Sequence, residues 1–118
     1  MKYMLLIYQD PEFARADGTP EADARRQEWF AYDAGLRDDG SRVEGAALQG
    51  VEQATTVRVR DRRELITDGP FAETKEFLAG YSVVDVPDLD AALERAKRMP
   101  NVGDGAVEVR PIWEIPGL

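Results

Sequence analysis

The sequence contains no cysteine and no histidine, and no apolar run long enough to cross a bilayer. The lack of thiols excludes disulfides, thiolate nucleophiles and cysteine-bound metals, and leaves the chain indifferent to redox compartment. The lack of imidazole removes the side chain that ordinarily titrates near neutrality and most often binds transition metals. Any acid–base chemistry must then use Asp, Glu, Lys or Tyr with shifted pKa values. A tight zinc site is argued against, a weak Mg²⁺ or Ca²⁺ site on carboxylates stays open, and the expectation is no metal and no cofactor. The opening MKYMLLIYQD holds a short apolar stretch, too short for a signal peptide and followed at once by Asp10, Pro11 and Glu12. No segment approaches the length of a membrane span, so the expectation is a soluble, cytoplasmic protein. Positive charge is also scarce: 15 bases against 23 acids give a net charge of −8. That balance argues against duplex nucleic acid and anionic lipid as partners. Arg58, Arg60, Arg62 and Arg63 are a local exception, read as a solvated hairpin tip.

What is present is a globular composition. With 118 residues, 43% hydrophobic and 32% charged, the chain is expected to form one domain over 1–118. A domain of this size buries roughly two-thirds of its unfolded surface, enough for one modest core. Tyr3 to Tyr8 is apolar throughout and suits a central strand. Asp10 to Gly18 is a polar connection. Thr19 is a cap with Pro20 at the first helical position, Trp29, Tyr32 and Leu36 form one stripe, and Gly40 is a left-handed stop. Asp38 and Asp39 sit at the unfavourable end of that helix dipole.

Val43 to Leu48 reads as a short extended segment. Ala54 to Arg60 alternates, Val57 and Val59 facing one way and Thr56, Arg58 and Arg60 the other, as in a half-exposed strand. Asp61 to Arg63 turns and Glu64 to Thr67 returns, ended by Asp68-Gly69-Pro70. Phe77 to Val86 is a second buried strand, in which Gly80 signals close approach of a backbone or ligand. Asp88 caps a helix with Leu89, Ala92, Leu93, Ala96 and Met99 on one face, closed by Pro100. Ala106 to Arg110 is the last strand, with Pro111 marking an edge.

This order predicts an α+β, ferredoxin-like sandwich with an extra β-hairpin before the third core strand. Two helices cover one face of the sheet. The other face still carries Met4, Leu6 and Tyr8 with Phe77, Ala79, Tyr81 and Val83, so a symmetric homodimer is expected to cover it.

Polar groups concentrate in TDGPFAETKE, Thr67 to Glu76. If the chain is extended after the bend, Glu73, Lys75, Phe77, Ala79 and Tyr81 share one face. Clustered carboxylates raise one another's pKa and a nearby ammonium lowers it, so a group working near neutrality could arise there. The plain alternative is an ordinary turn, with an exposed Glu-x-Lys pair worth under about 1 kcal/mol. Tyr8 and Tyr81 can equally be packing residues, and Arg110 an ion-pair partner.

The DGPF tetrapeptide, Asp68 to Phe71, inside TDGPFAETKE resembles the hallmark of the YCII-related family in its DGPF-domain branch. MKYMLLIY, ATTVR at 54–58, GYSVVDVPDLDAAL at 80–93 and VEVRPI at 107–112 are similar to the same branch. The resemblance implies a dimeric α+β barrel, in which ferredoxin-like chains pack sheet to sheet. It also implies enzymes that use a His–Asp dyad. Asp68 is present and histidine is not, so that dyad cannot operate here. One relative of the family is similar to a chloromuconolactone-dehalogenating lyase, which implies small organic substrates. The branch is also commonly encoded beside extracytoplasmic-function sigma factors, which implies an accessory role.

Two functions are therefore expected from different classes. In the first, a small-molecule lyase or isomerase uses Asp68 as acid or base. Lys75 holds a substrate anion, Tyr8 or Tyr81 orients it, Glu73 and Glu76 tune Asp68, and Phe71 and Arg110 complete the binding surface. Its cleft is bounded by Asp68, Lys75 and Tyr81. In the second, a non-catalytic dimer binds a ligand or a sigma factor. A plainer third reading makes DGPF a structural turn.

Overall fold

The computed structural model describes residues Met1–Leu118 throughout. Strand β1 runs Lys2–Gln9, helix α1 Pro20–Asp38, β2 Arg42–Ala47, β3 Thr55–Arg60, β4 Arg63–Asp68, β5 Phe77–Asp85, helix α2 Leu89–Lys97 and β6 Gly105–Pro111. Four strands form an antiparallel sheet in the order β2-β5-β1-β6. This is the ferredoxin-like arrangement, with the hairpin β3–β4 as a separate two-stranded sheet. Neither helix is long and apolar enough to cross a membrane.

Local chemistry fixes the helix ends. The Thr19 hydroxyl accepts from the Ala22 N–H at 3.2 Å, and Pro20 occupies the first turn where its missing N–H costs nothing. The Asp88 carboxylate accepts from the Ala91 N–H at 2.9 Å and starts α2. Gly40 ends α1 with φ +79°, a left-handed conformation that favours glycine.

Asp39, which looked misplaced by the dipole argument, has a positive use. One oxygen accepts from the Ser41 N–H at 2.8 Å and the other from Arg95 at 3.2 Å. The last turn of α1 is thereby tied to the chain entering β2 and to α2. The hydrogen bonds from Ser41 hold the Asp39 carboxyl below its ordinary value.

The core lies between the helices and one sheet face. Tyr3, Leu5 and Ile7 of β1 meet Val84, Val86, Leu36, Ala92, Ala96 and Met99, with Trp29 and Tyr32 packed against them. Trp29 and Tyr32 stack edge to face at 5.8 Å. Burial pushes the Tyr32 phenol up to about 12, and its hydroxyl donates to the Arg95 carbonyl at 2.9 Å, joining the two helices.

The opposite sheet face is open. Register places Met4 beside Val83 and Arg110, and Leu6 beside Tyr81 and Glu108. After β6 the chain lies across one end of this face. The Ile112 N–H donates to the Lys2 carbonyl at 2.9 Å, and Ile112, Trp113 and Ile115 border a hollow with Val43 and Val83. Val83 is buried there, whereas Met4, Leu6 and Tyr81 remain half-buried.

The hairpin departs from expectation in one respect. The Val57–Val59 side was expected to be the covered side of a half-exposed strand. Val57 and Ile66 are instead 62% and 63% exposed, because β3 and β4 pair only with each other and no element lies over them. The tip does turn as predicted: Asp61 and Arg62 both have positive φ, as in a tight two-residue hairpin loop.

Carboxylates clamped by arginines give the fold a pH dependence. Burial alone would raise Asp104, but hydrogen bonds and charge from Arg25 and Arg15 outweigh it and lower its pKa. Asp33 is likewise lowered by Arg37 and Arg42 against the cost of burial. A folded-state pKa below the unfolded value stabilises the fold fully above the unfolded value, near about pH 4, and the gain is lost as pH falls. The urea midpoint is expected to stay level from about pH 8 to 5 and to decline below about pH 4. Asp104→Asn should make that decline shallower; an unchanged acid limb would show that this cluster does not contribute.

Candidate functional site

The site-bearing end of the sheet is set by a β-bulge. Strand β5 pairs Gly80 with Ile7 but Leu78 with Tyr8, so Ala79 has no partner on β1. Gly80 is required there because a Cβ would come within 2.6 Å of the Ala46 carbonyl oxygen on β2. The close approach predicted at this glycine is therefore a backbone.

The bulge changes one expectation. Glu73, Lys75, Phe77, Ala79 and Tyr81 do not share a face. Residues 70–76 form bends and coil rather than strand, and the extra residue at Ala79 reverses the alternation. Leu78, paired with Tyr8, takes the position beside the open face that even spacing assigned to Phe77 and Ala79.

An open groove of about 580 Å³ lies where the 74–76 segment passes the ends of β1 and β6. Tyr8, Thr74, Lys75, Glu76, Ala106, Val107 and Glu108 line it. The Tyr8 hydroxyl donates to the Glu108 carboxylate at 3.3 Å. Burial, then the Glu108 charge and its hydrogen bond, raise the Tyr8 pKa above 10.0, against a smaller lowering by Arg110. Tyr8 is therefore a neutral phenol at neutral pH, a proton donor rather than a phenolate. Lys75 stands between Asp10 and Glu12, its Nζ 3.6 Å from a carboxylate oxygen of each. Its charge is thus partly balanced before any ligand arrives.

Below the groove, Asn101 is 1% exposed. Its amide donates to the carbonyls of Tyr8 at 3.0 Å and Ala106 at 3.2 Å, fixing the ends of β1 and β6 beneath the lining side chains. No three carboxylates come close enough together to hold a metal ion.

The predicted residues divide into three places. Tyr8, Lys75 and Glu76 meet in the groove. Tyr81 and Arg110 stand on the open sheet face, Tyr81 opposite Leu6 and Arg110 opposite Met4. Asp68, Phe71 and Glu73 lie outside the groove lining and are exposed, Asp68 and Phe71 at the base of the hairpin. No hydrogen bond or ion pair joins Asp68 to Lys75, whose partners are Asp10 and Glu12.

The DGPF segment fastens the hairpin at its root. The Gly69 N–H donates to the Ala54 carbonyl at 2.7 Å, the Thr56 hydroxyl donates to the Gly69 carbonyl at 2.8 Å, and Gly69 has φ +103°. The Arg58 guanidinium lies 4.7 Å from the centre of the Phe71 ring. Sequence reasoning missed Glu108. The alternation of Val107, Glu108, Val109 and Arg110 was the available signal, since it puts Glu108 on the face of Arg110 and Tyr8.

Comparison with known proteins agrees with this architecture. The YCII-related domain family profile matches residues 1–116. An uncharacterised protein of Rhizobium meliloti (strain 1021) is 32% identical over 114 residues, covering 95% of this chain and 92% of its own length. Among solved structures, a 5-chloro-2-hydroxyhydroquinone dehydrochlorinase from Burkholderia phenoliruptrix AC1100, in complex with 2,5-dihydroxybenzoquinone, superposes with a TM-score of 0.54. Identity is 13%, and the match covers 96% of this chain and 94% of that one. At that identity the likeness is one of fold alone.

Proposed function

We propose, from the premise that this chain belongs to the YCII-related domain family, that it works as a homodimer binding a small organic molecule in the groove beside Tyr8. The observation that carries this reading is the Tyr8–Glu108 hydrogen bond at the wall of the open groove. The dehydrochlorinase that shares the fold binds a single-ring dihydroxyquinone, which supports a one-ring, oxygen-rich ligand as the class to test.

The chemistry suited to the pair is acid–base work of the lyase or isomerase kind. The Glu108 carboxylate takes a proton from the ligand, and the Tyr8 hydroxyl donates a hydrogen bond to the ligand oxygen where charge develops. Because Asp68 lies outside the groove of its own chain, Tyr8 and Glu108 replace it here as the proton-handling residues. Arg110 lies outside the groove lining but forms no ion pair within the chain, and its charge acts on Tyr8, so it is proposed to attract an anionic ligand toward the groove.

The non-catalytic alternative, a ligand- or sigma-factor-binding accessory, is favoured by one feature, the absence of histidine. It requires binding without turnover.

Titration calorimetry with 2,5-dihydroxybenzoquinone tests the reading. Wild type is expected to bind, and Tyr8→Phe to bind about tenfold more weakly with unchanged circular dichroism, the loss of one useful hydrogen bond. No binding at millimolar probe, or equal binding by Tyr8→Phe, would end it. Consumption of the quinone followed by absorbance separates the catalytic reading from the accessory one.

A further inference from the structure

The hairpin β3–β4 is an arm that its own chain does not use. It contributes no residue to the core, and its strands bond only to each other. The radius of gyration is 16.4 Å, against about 13–14 Å for a compact chain of this length. One side of the arm presents Val57, Val59 and Ile66, all exposed. A bare two-stranded sheet is marginal in water, and an uncovered apolar strand face marks a surface that packs on something.

Charge indicates what covers it. Nine of the fifteen basic side chains are ion-paired within the chain. Of the six that are not, four are Arg58, Arg60, Arg62 and Arg63 of the arm; the others are Lys97 and Arg110. Residues 55–68 hold those four arginines and three carboxylates, a net charge of +1 in a chain of −8. The groove has the opposite character. Its lip carries Glu76 and Glu108, neither in an ion pair, while its own Lys75 is engaged by Asp10 and Glu12.

We propose that the arm lays its Val57–Val59–Ile66 side on a second copy of this chain. Arg62, in the turn at its tip, then reaches the acidic lip of that copy's groove. The inference rests on the homodimer reading above and deepens it, because each groove is then completed by a cation from the other subunit. A second copy is the fitting occupant because one chain supplies both halves of the match: arginines in no ion pair on the arm, and carboxylates in no ion pair at the groove. A two-fold axis makes each contact twice. Strands of six residues give the arm a length of about 20 Å, enough to cross onto a neighbour.

The cysteine-free background makes the test clean. Arg62→Cys chains mixed with Glu76→Cys chains, under mild oxidation, are expected to give a disulfide-linked dimer in the mixture well above that of either variant alone. By analytical ultracentrifugation, Val57→Asp/Ile66→Asp and Arg60→Ala/Arg62→Ala/Arg63→Ala should each self-associate at least about tenfold more weakly than wild type. The near-ultraviolet circular dichroism of the Trp29–Tyr32 core should persist, since the arm lies outside the core. A dimer indifferent to both arm variants, but split by Leu6→Glu on the sheet face, overturns the arm and leaves the homodimer reading standing. A monomeric wild type overturns both. Retardation of a DNA duplex by wild type, lost in the triple arginine variant while the dimer persists, overturns the proposal in favour of nucleic acid.

Discussion

Leu5→Ala is expected to lower the free energy of unfolding by about 2–5 kcal/mol. Leu5 lies at the middle of the central strand β1, opposite Ser82 on β5 and Val109 on β6, and is 0% exposed. It belongs to the cluster that Leu36, Met99, Ala92 and Ala96 close from the helix side. Removing its isobutyl group forfeits the transfer energy of the lost carbons and leaves a hole. Strands paired on both sides cannot move inward without breaking ladder hydrogen bonds, so the hole persists. Each kcal/mol corresponds to about 3–6 °C of melting temperature for a chain of this size. Urea unfolding and calorimetry at fixed protein concentration check the value, since any self-association makes the midpoint concentration-dependent. A loss under about 1 kcal/mol would show that the core can collapse around the gap, and that β1 is not the rigid centre described here.

The strand and helix order was legible because each element obeys one simple periodicity. Along α2 and the turn that follows it, Ala92, Ala96 and Met99 recur at helical spacing and are all buried. In β1, Tyr3 to Tyr8 are all apolar, and alternation alone put Met4, Leu6 and Tyr8 on the face away from the core, where the structure has them. Thr19, Asp88 and Gly40 were readable because a cap requires particular atoms at particular positions. The bulge at Ala79 was not, since Gly80 beside it signals a bulge and a close approach alike and was read only as the second, and that single insertion moved the predicted face. Asp39 was misjudged because the helix dipole is a local argument, whereas its partners, Ser41 and Arg95, arrive through tertiary structure. At the groove, Tyr8, Lys75 and Glu76 were found because they are polar residues at the ends of apolar strands. Glu108 lies a hundred residues from Tyr8, and only the β1–β6 register joins them.

Leu6→Glu, one residue along from Leu5, is expected to have the opposite signature. Leu6 points to the open face, opposite Tyr81 and Glu108, and remains half-buried. Within one chain the new carboxylate reaches water, so monomer stability should change by less than about 1 kcal/mol. In a sheet-to-sheet homodimer the same carboxylate is buried in the interface beside Glu108 of its own chain. Like charges brought out of water together cost several kcal/mol, which corresponds to a weakening of self-association of at least about a hundredfold. Light scattering at micromolar concentration should then report a particle near 13 kDa, the mass of one chain. Leu6→Met, which preserves volume and adds no charge, should keep the wild-type mass. If Leu6→Glu remained dimeric while Leu5→Ala unfolded as expected, the open face would not be the contact surface. The apolar Met4–Leu6–Tyr81 patch would then require an occupant other than a second copy.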